Sequence, residues 1–409
     1  MAITHHETLT DESIREFKID IPQSELDDLR TRLRLTRWPE KEPVDDWSQG
    51  VPLENAKRLI EYWMNDYDWR PVEKLLNSYP QFVTTIDGLG IHFLHIKSPH
   101  ADALPMIMTH GWPGSVLEFM KVIGPLVDPT SHGGKASDAF HLVIPSLPGH
   151  GFSEKPTSDG WGAEQTAKAW GVLMSRLGYD RWVASGGDWG STVVHWLALQ
   201  RPEGLLAGHS NWPLVFPKEA PAQPTPEEKA AFDDVGRFVS NVAGYHHEQA
   251  TRPQTLGYAL ADSPVGQAIW IFEKFNEWSD NPGVLSHSWG GEEWQPNDGS
   301  VFDVFPIDEI LDGITLYWLT NSGASSGRYY WENARGTVGT DLAFGRLELP
   351  MSGTVFPKDM YRAPRSWAEE SWPNLVHWGI AERGGHFAAW EQPDIIVSEL
   401  TKSFGPQFR

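Results

Sequence analysis

Cysteine is absent from the 409 residues. Its absence excludes disulfides, a thiolate nucleophile, and zinc or iron–sulfur centres built on sulfur, and it suits a reducing cytoplasm. Long apolar runs are missing as well. No stretch approaches the roughly 18 apolar residues expected of a membrane span. The opening "MAITHHETLTDES" has neither a basic n-region nor an apolar h-region, so no secretory signal is read there. Positive charge is scarce: 33 Lys and Arg stand against 55 Asp and Glu, for a net charge of −22. Such a field repels nucleic-acid phosphates and anionic membrane surfaces, and partial protonation of 16 histidines does not reverse it. Neither nucleic acid nor a membrane is expected as a partner.

What is present is a globular composition, 40% hydrophobic, with 21 tryptophans that suit both a core and a pocket for an apolar ligand. No internal repeat of fixed period is found. Residues 14–80 read as helical pieces with loops; in "PQSELDDLRTRLRLTRW", Leu26, Leu29 and Leu33 share one helical face. "FVTTIDGLGIHFLHIKS" reads as a hairpin turning at Asp87 to Gly90. "LPMIMTHGWPG" and "AFHLVIPSLPGHGFS" each read as a strand running into a loop. The helix "WGAEQTAKAWGVLMSRLG", the strand "RWVASGGD" and the helix "STVVHWLALQRP" follow. This alternation predicts a parallel sheet with crossover helices. It breaks off near Pro213, gives way to helical segments, and resumes at "RLELPMSGTVFP" and "NLVHWGIAERGGH" before a last helix, "PDIIVSELTKSF". The predicted division is an N-terminal helical meander (1–80), an α/β core (81–214 and 339–409) and an inserted helical cap (215–338). The cap is expected over the C-terminal edge of the sheet, where open α/β sheets bind ligands.

The stretch "ASGGDWGS", Ala184 to Ser191, follows a strand and opens a helix. That is the sharp turn on which α/β-hydrolases expose a nucleophile, ordinarily the serine of G-x-S-x-G; here Asp188 holds the position. His386 in "RGGHFAAWEQP" comes after the last strand, and Asp359 in "VFPKDM" after the strand before it. An Asp between glycines also suits a helix N-cap, and single histidines are commonly structural. The chain order of nucleophile, acid and histidine favours a triad. A carboxylate attacking an ester or amide forms an unfavourable anhydride. Attacking saturated carbon it forms an alkyl ester that water can hydrolyse, so the residue type selects epoxides or alkyl halides. His386 would activate the water and Asp359 would orient the imidazole. The oxyanion then formed would face the backbone N–H groups of Trp112, in "HGWPG", and Trp189. His110 in that loop is read as loop-shaping. An opening epoxide also needs a proton, and Tyr245 and Tyr330, both in the inserted region, could supply it, although tyrosines are ordinarily packing residues.

The chain resembles the epoxide hydrolase family of the α/β-hydrolase fold, in its microsomal-type branch with soluble fungal and bacterial members. The resemblance covers nearly the whole chain. It is carried by "HGWPGS", "PSLPGHGFS", "GGDWGS", "DSPVG", "ITLYWLTN", "RYYWEN" and "GGHFAAWEQP", in that order. It implies Asp188 as nucleophile, His386 as base, Asp359 as the charge-relay acid where many relatives have Glu, and Tyr245 and Tyr330 as ring-opening acids. Tyr330 fits better than Tyr329 because the family motif reads tyrosine, any residue, then Glu-Asn. The resemblance implies no metal and no organic cofactor, a small apolar epoxide and water as substrates, and often a homodimer. A haloalkane dehalogenase, a catalytically dead binding protein and a biosynthetic epoxide-opening enzyme stay open as alternatives. The tyrosines and "HGWPG" discriminate against the first, and the filled triad positions against the second.

Overall fold

A computed structural model of the chain describes residues 11–281, 301–337 and 345–409. The first ten residues and the expected cap–core boundary at 338 to 339 lie outside the described residues. The N-terminal segment opens with a two-residue strand, β1 (Arg15–Glu16), paired antiparallel with Val83 and Phe82. Two residues carry no periodicity, so the expectation of helices and loops alone missed it. Three helices follow: α1 (Gln23–Arg34), α2 (Leu53–Asn65) and α3 (Arg70–Leu76). Leu26, Leu29 and Leu33 are buried along one face of α1, as their spacing requires.

Strands β2 (Gln81–Ile86) and β3 (Leu89–Ile96) form the hairpin. Asp87 and Gly88 both have positive φ, 48° and 77°, as in a two-residue turn matched to strand twist. The turn is tighter than expected, with Leu89 and Gly90 already in the ladder. The core continues through β4 (Leu104–Thr109), α4 (Met120–Val127), β5 (Phe140–Pro145), α5 (Ala163–Arg176), β6 (Trp182–Gly186), α6 (Trp189–Gln200) and β7 (Leu205–Ser210). Small and polar residues in "LLAGHS" had hidden β7 from the sequence pattern. Among the described residues six α-helices then intervene: α7 (Pro226–Arg237), α8 (Gly244–Thr251), α9 (Pro253–Asp262), α10 (Pro264–Trp278), α11 (Ile307–Leu319) and α12 (Gly323–Thr337). The core closes with β8 (Met351–Val355), α13 (Arg365–Ser371), β9 (Leu375–Ile380), α14 (Ala388–Glu391) and α15 (Pro393–Ser403).

The nine strands form one sheet in the order β1-β2-β3-β5-β4-β6-β7-β8-β9, antiparallel from β1 to β5 and parallel beyond. Both faces are covered, as a mostly parallel sheet requires. Along β4, Met106 and Met108 join one core while Ile107 joins the other, the period-two alternation of a strand. Several tryptophans are almost completely buried, among them Trp63, Trp170 and Trp182. The N-terminal helices also bind α11. Trp63 Nε1–H donates to Thr315 Oγ1 (2.9 Å), Tyr62 O–H to Asp308 Oδ1 (2.9 Å) and Tyr67 O–H to Asp312 Oδ1 (2.7 Å). The segment from residue 11 onward therefore reaches beyond the sheet and clasps the cap.

Candidate active site

The turn between β6 and α6 places Asp188 at φ 51°, ψ −127°, a backbone conformation that L-residues rarely hold. The turn packs closely against β4: a Cβ on Gly190 would lie 1.9 Å from the Thr109 carbonyl oxygen. The Asp188 side chain makes no capping hydrogen bond to α6, so a mere N-cap role does not describe it. Its Oδ1 accepts the Trp112 amide N–H at 2.9 Å, and a Cβ on Gly111 would lie 2.2 Å from that same oxygen. The Asp188 Oδ2 faces His386 Nε2 at 3.1 Å. On the other side of the ring, His386 Nδ1 meets Asp359 Oδ1 at 2.8 Å, so the shorter aspartate reaches the imidazole. The Met360 amide also donates to that oxygen, at 2.7 Å. All three side chains are buried.

Burial pulls the His386 imidazole down, but the Asp359 and Asp188 carboxylates beside it outweigh burial and hold it well above 6.5. Burial pushes Asp359 up, with His386 opposing. His110 serves the loop: its Nε2 accepts the Leu147 amide at 3.1 Å, and its Nδ1 lies 2.8 Å from the Gly111 carbonyl oxygen.

Above Asp188, α8 brings Tyr245 and α12 brings Tyr330. The Tyr245 ring stacks on Trp112 (5.2 Å, 10°), and the Tyr330 ring stands edge-on to Trp189 (4.8 Å, 86°). The two phenol rings are 5.8 Å apart. Burial raises both phenols well above 10, and the Asp188 charge raises them further, so both carry their protons. The Tyr330 hydroxyl is buried beside the Trp189 side chain and the Tyr245 phenol but makes no hydrogen bond of good geometry among the described residues, which leaves it a donor for a bound ligand. Its neighbour Tyr329 is engaged elsewhere, donating to Thr166 Oγ1 at 3.0 Å.

Two family profiles match: epoxide hydrolase N terminus over residues 14–119, and alpha/beta hydrolase fold over residues 105–272. A Stigmatella aurantiaca protein provisionally named an epoxide hydrolase is 53% identical over 96% of this chain and 84% of its own length. Pig epoxide hydrolase 1 is 34% identical over 97% of this chain and 89% of its own. The chain belongs to the epoxide hydrolase family. Among solved structures, Aspergillus niger epoxide hydrolase superimposes with a TM-score of 0.81 at 32% identity, over 98% of both chains. Juvenile hormone epoxide hydrolase from Bombyx mori does so with a TM-score of 0.81 at 30% identity, over 98% of this chain and 95% of its own. Among the described residues of this family member, no group of three or more His, Asp or Glu could hold a metal ion. No helix there is long and apolar enough to cross a membrane.

The fold thus gathers Asp188, His386, Asp359, Tyr245, Tyr330, Trp112 and Trp189 at one place. The Trp189 amide heads α6 and makes no hydrogen bond to the Asp188 carboxylate among the described residues. Sequence reasoning missed the groups that hold the histidine loop of this epoxide hydrolase family member. Glu391 accepts the amides on both sides of His386, from Gly385 (3.0 Å) and Phe387 (2.9 Å), and a third from Asp280 (2.6 Å). The His386 amide donates to the Trp278 carbonyl (2.8 Å) and the Gly384 amide to Asp280 Oδ2 (2.8 Å). Glu391 lay inside the quoted motif "GGHFAAWEQP", but nothing in the pattern shows that its carboxylate turns back on the loop.

Proposed function

We propose that the chain hydrolyses a small apolar epoxide to a vicinal diol in two covalent steps at Asp188. The observation that carries this reading is one carboxylate held between an amide and an imidazole, with two protonated phenols beside it. Oδ1 stays on the Trp112 amide, and Oδ2 attacks a ring carbon in line with the breaking C–O bond. Tyr245 and Tyr330 grip the ring oxygen, and one of them gives it a proton as the ring opens. Water then adds to Cγ of the Asp188 ester as His386 removes its proton. The oxyanion forms on Oδ1 against the Trp112 and Trp189 amides. As it collapses, the bond from Cγ to the substrate oxygen breaks and the proton of the added hydroxyl passes to that oxygen, which releases the diol and restores the carboxylate. The tyrosinate left by ring opening regains a proton from solvent. The aromatic faces of Trp112, Trp189 and Trp278 around the site suit an apolar substrate.

Electrostatics orders the steps. While Asp188 is ionised, two carboxylates keep His386 protonated, and it cannot act as a base. Esterification abolishes the Asp188 charge, lowers the imidazole pKa and lets the ring shed its proton to solvent. Base strength therefore appears when there is an ester to hydrolyse. In a single turnover in ¹⁸O-water with enzyme in excess, the first diol is expected without label, because its new oxygen comes from Asp188. Label in that first diol would mean that water attacks the epoxide directly, and the covalent reading would fail.

A further inference from the structure

Behind the Asp188 carboxyl lies a cavity of about 20 Å³ whose polar lining is Glu118, Asp188, Asn211 and His386, with Phe119 and Phe387 closing its sides. Neither Tyr245 nor Tyr330 lines it. A water molecule needs roughly 10–15 Å³ and two to four polar partners, and this space offers both. Glu118 plays no part in the scheme above. It reaches the cavity because residue 114 is glycine: a Cβ there would lie 1.2 Å from Glu118 Oε1.

We propose that this cavity is the seat of the hydrolytic water and that Glu118 holds the water there between itself and His386. The proposal rests on Asp188 forming an ester. One water hydrogen points to His386 Nε2 and the other to a Glu118 oxygen, which leaves the water lone pair directed at Cγ of Asp188. In the step, the O–H bond facing His386 breaks, a bond from water oxygen to Cγ forms, and the Cγ carbonyl pair moves onto Oδ1. The proton ends on His386. Glu118 loses and gains nothing; it orients.

Its protonation state fits that task. Burial, reinforced by the Asp188 charge and opposed by His386, pushes Glu118 up to about 8. Below that value it is a neutral acid, able to accept from the water without competing with His386 for the proton. A neutral carboxyl is matched in shape and hydrogen bonding by an amide. Glu118→Gln should therefore keep the function, whereas Glu118→Leu fills the same space with nothing to hold a water.

The test uses the full chain with styrene oxide, followed by stopped-flow tryptophan fluorescence and intact-mass spectrometry. In Glu118→Leu, alkylation is expected within about twofold of the parent, and hydrolysis slowed about 10²-fold, the lower end of acid–base effects. The ester should then accumulate on Asp188. Glu118→Gln should hydrolyse within a few-fold of the parent. Hydrolysis at the parent rate in Glu118→Leu, or equal slowing of both phases, would overturn the proposal. Should Glu118→Leu fail to fold by circular dichroism, Gly114→Ala, which displaces the carboxyl without removing it, must show the same selective loss. Parent protein that never forms an ester would instead sink the role of Asp188, an outcome distinct from any behaviour of the Glu118 variants.

Discussion

Two phenols above one carboxylate is an arrangement whose cost is visible. Tyr245 and Tyr330 are buried, raised well above 10, and the Tyr330 hydroxyl makes no hydrogen bond of good geometry among the described residues. An unsatisfied buried hydroxyl costs about 1–3 kcal/mol, and a ring oxygen placed between the phenols relieves it. If they share the ring oxygen, Tyr245→Phe or Tyr330→Phe alone leaves one donor and should slow alkylation while sparing part of it. The double variant leaves the developing alkoxide without a proton source, and alkylation should fall about 10²–10⁴-fold. Rapid-mixing fluorescence with styrene oxide measures that phase; an unchanged rate in the double variant would remove the tyrosines from the mechanism. At this scale much was legible. A carboxylate at a serine position, with an acid and a histidine following in order, limits the chemistry before any coordinates. Glu118 was not legible, since its part depends on the shape of a cavity and on the missing Cβ at residue 114.

Among the elements, the histidine loop takes its position from others. It leaves β9 and enters α14, and Glu391 at the end of α14 takes the amides of Gly385, Phe387 and Asp280. Asp280 follows α10 of the cap, so one carboxylate ties the base loop to the roof of the site. Glu391→Gln replaces one acceptor oxygen by an NH₂ that faces N–H groups. The expected result is a loss of about 1–3 kcal/mol in stability, read from the urea midpoint. A fall in the hydrolysis rate larger than in the alkylation rate should accompany it, because His386 serves the second step. Equal rates in both phases would show that the loop keeps its place without the clamp. The strands and helices themselves were largely readable from apolar period and glycine or proline punctuation. β1 was too short to carry a period, and β7 was too rich in small and polar residues. What no pattern shows is contact between segments far apart in the chain, as between Asp280 and Glu391.

Across the whole molecule, carboxyls buried against the general negative charge set a direction for the pH dependence of stability. Burial pushes Asp312 from 3.8 to about 7, with the Tyr67 hydrogen bond opposing it and Asp308 and Glu309 adding to it. The folded state then binds more protons than the unfolded state between pH 4 and 7, so this group's contribution to stability falls as pH rises through that window. Asp312→Asn keeps an acceptor for Tyr67 but carries no charge. Its melting temperature should exceed the parent's at pH 8 and differ little at pH 4.5. A loss at pH 8 would show that the ionised carboxylate stabilises the contact. The same contact has a consequence in time. Trp63 and its partner Thr315 are 252 residues apart, and Tyr67 and Asp312 are 245 apart. During synthesis α2 and the residues after it emerge ahead of α11, and at about 5–20 residues per second they wait roughly 10–50 s before α11 exists to receive them. The apolar faces of α1 and α2 stay uncovered by their cap partners through that interval, so these helices reach their final packing only once α10 and α11 have been made.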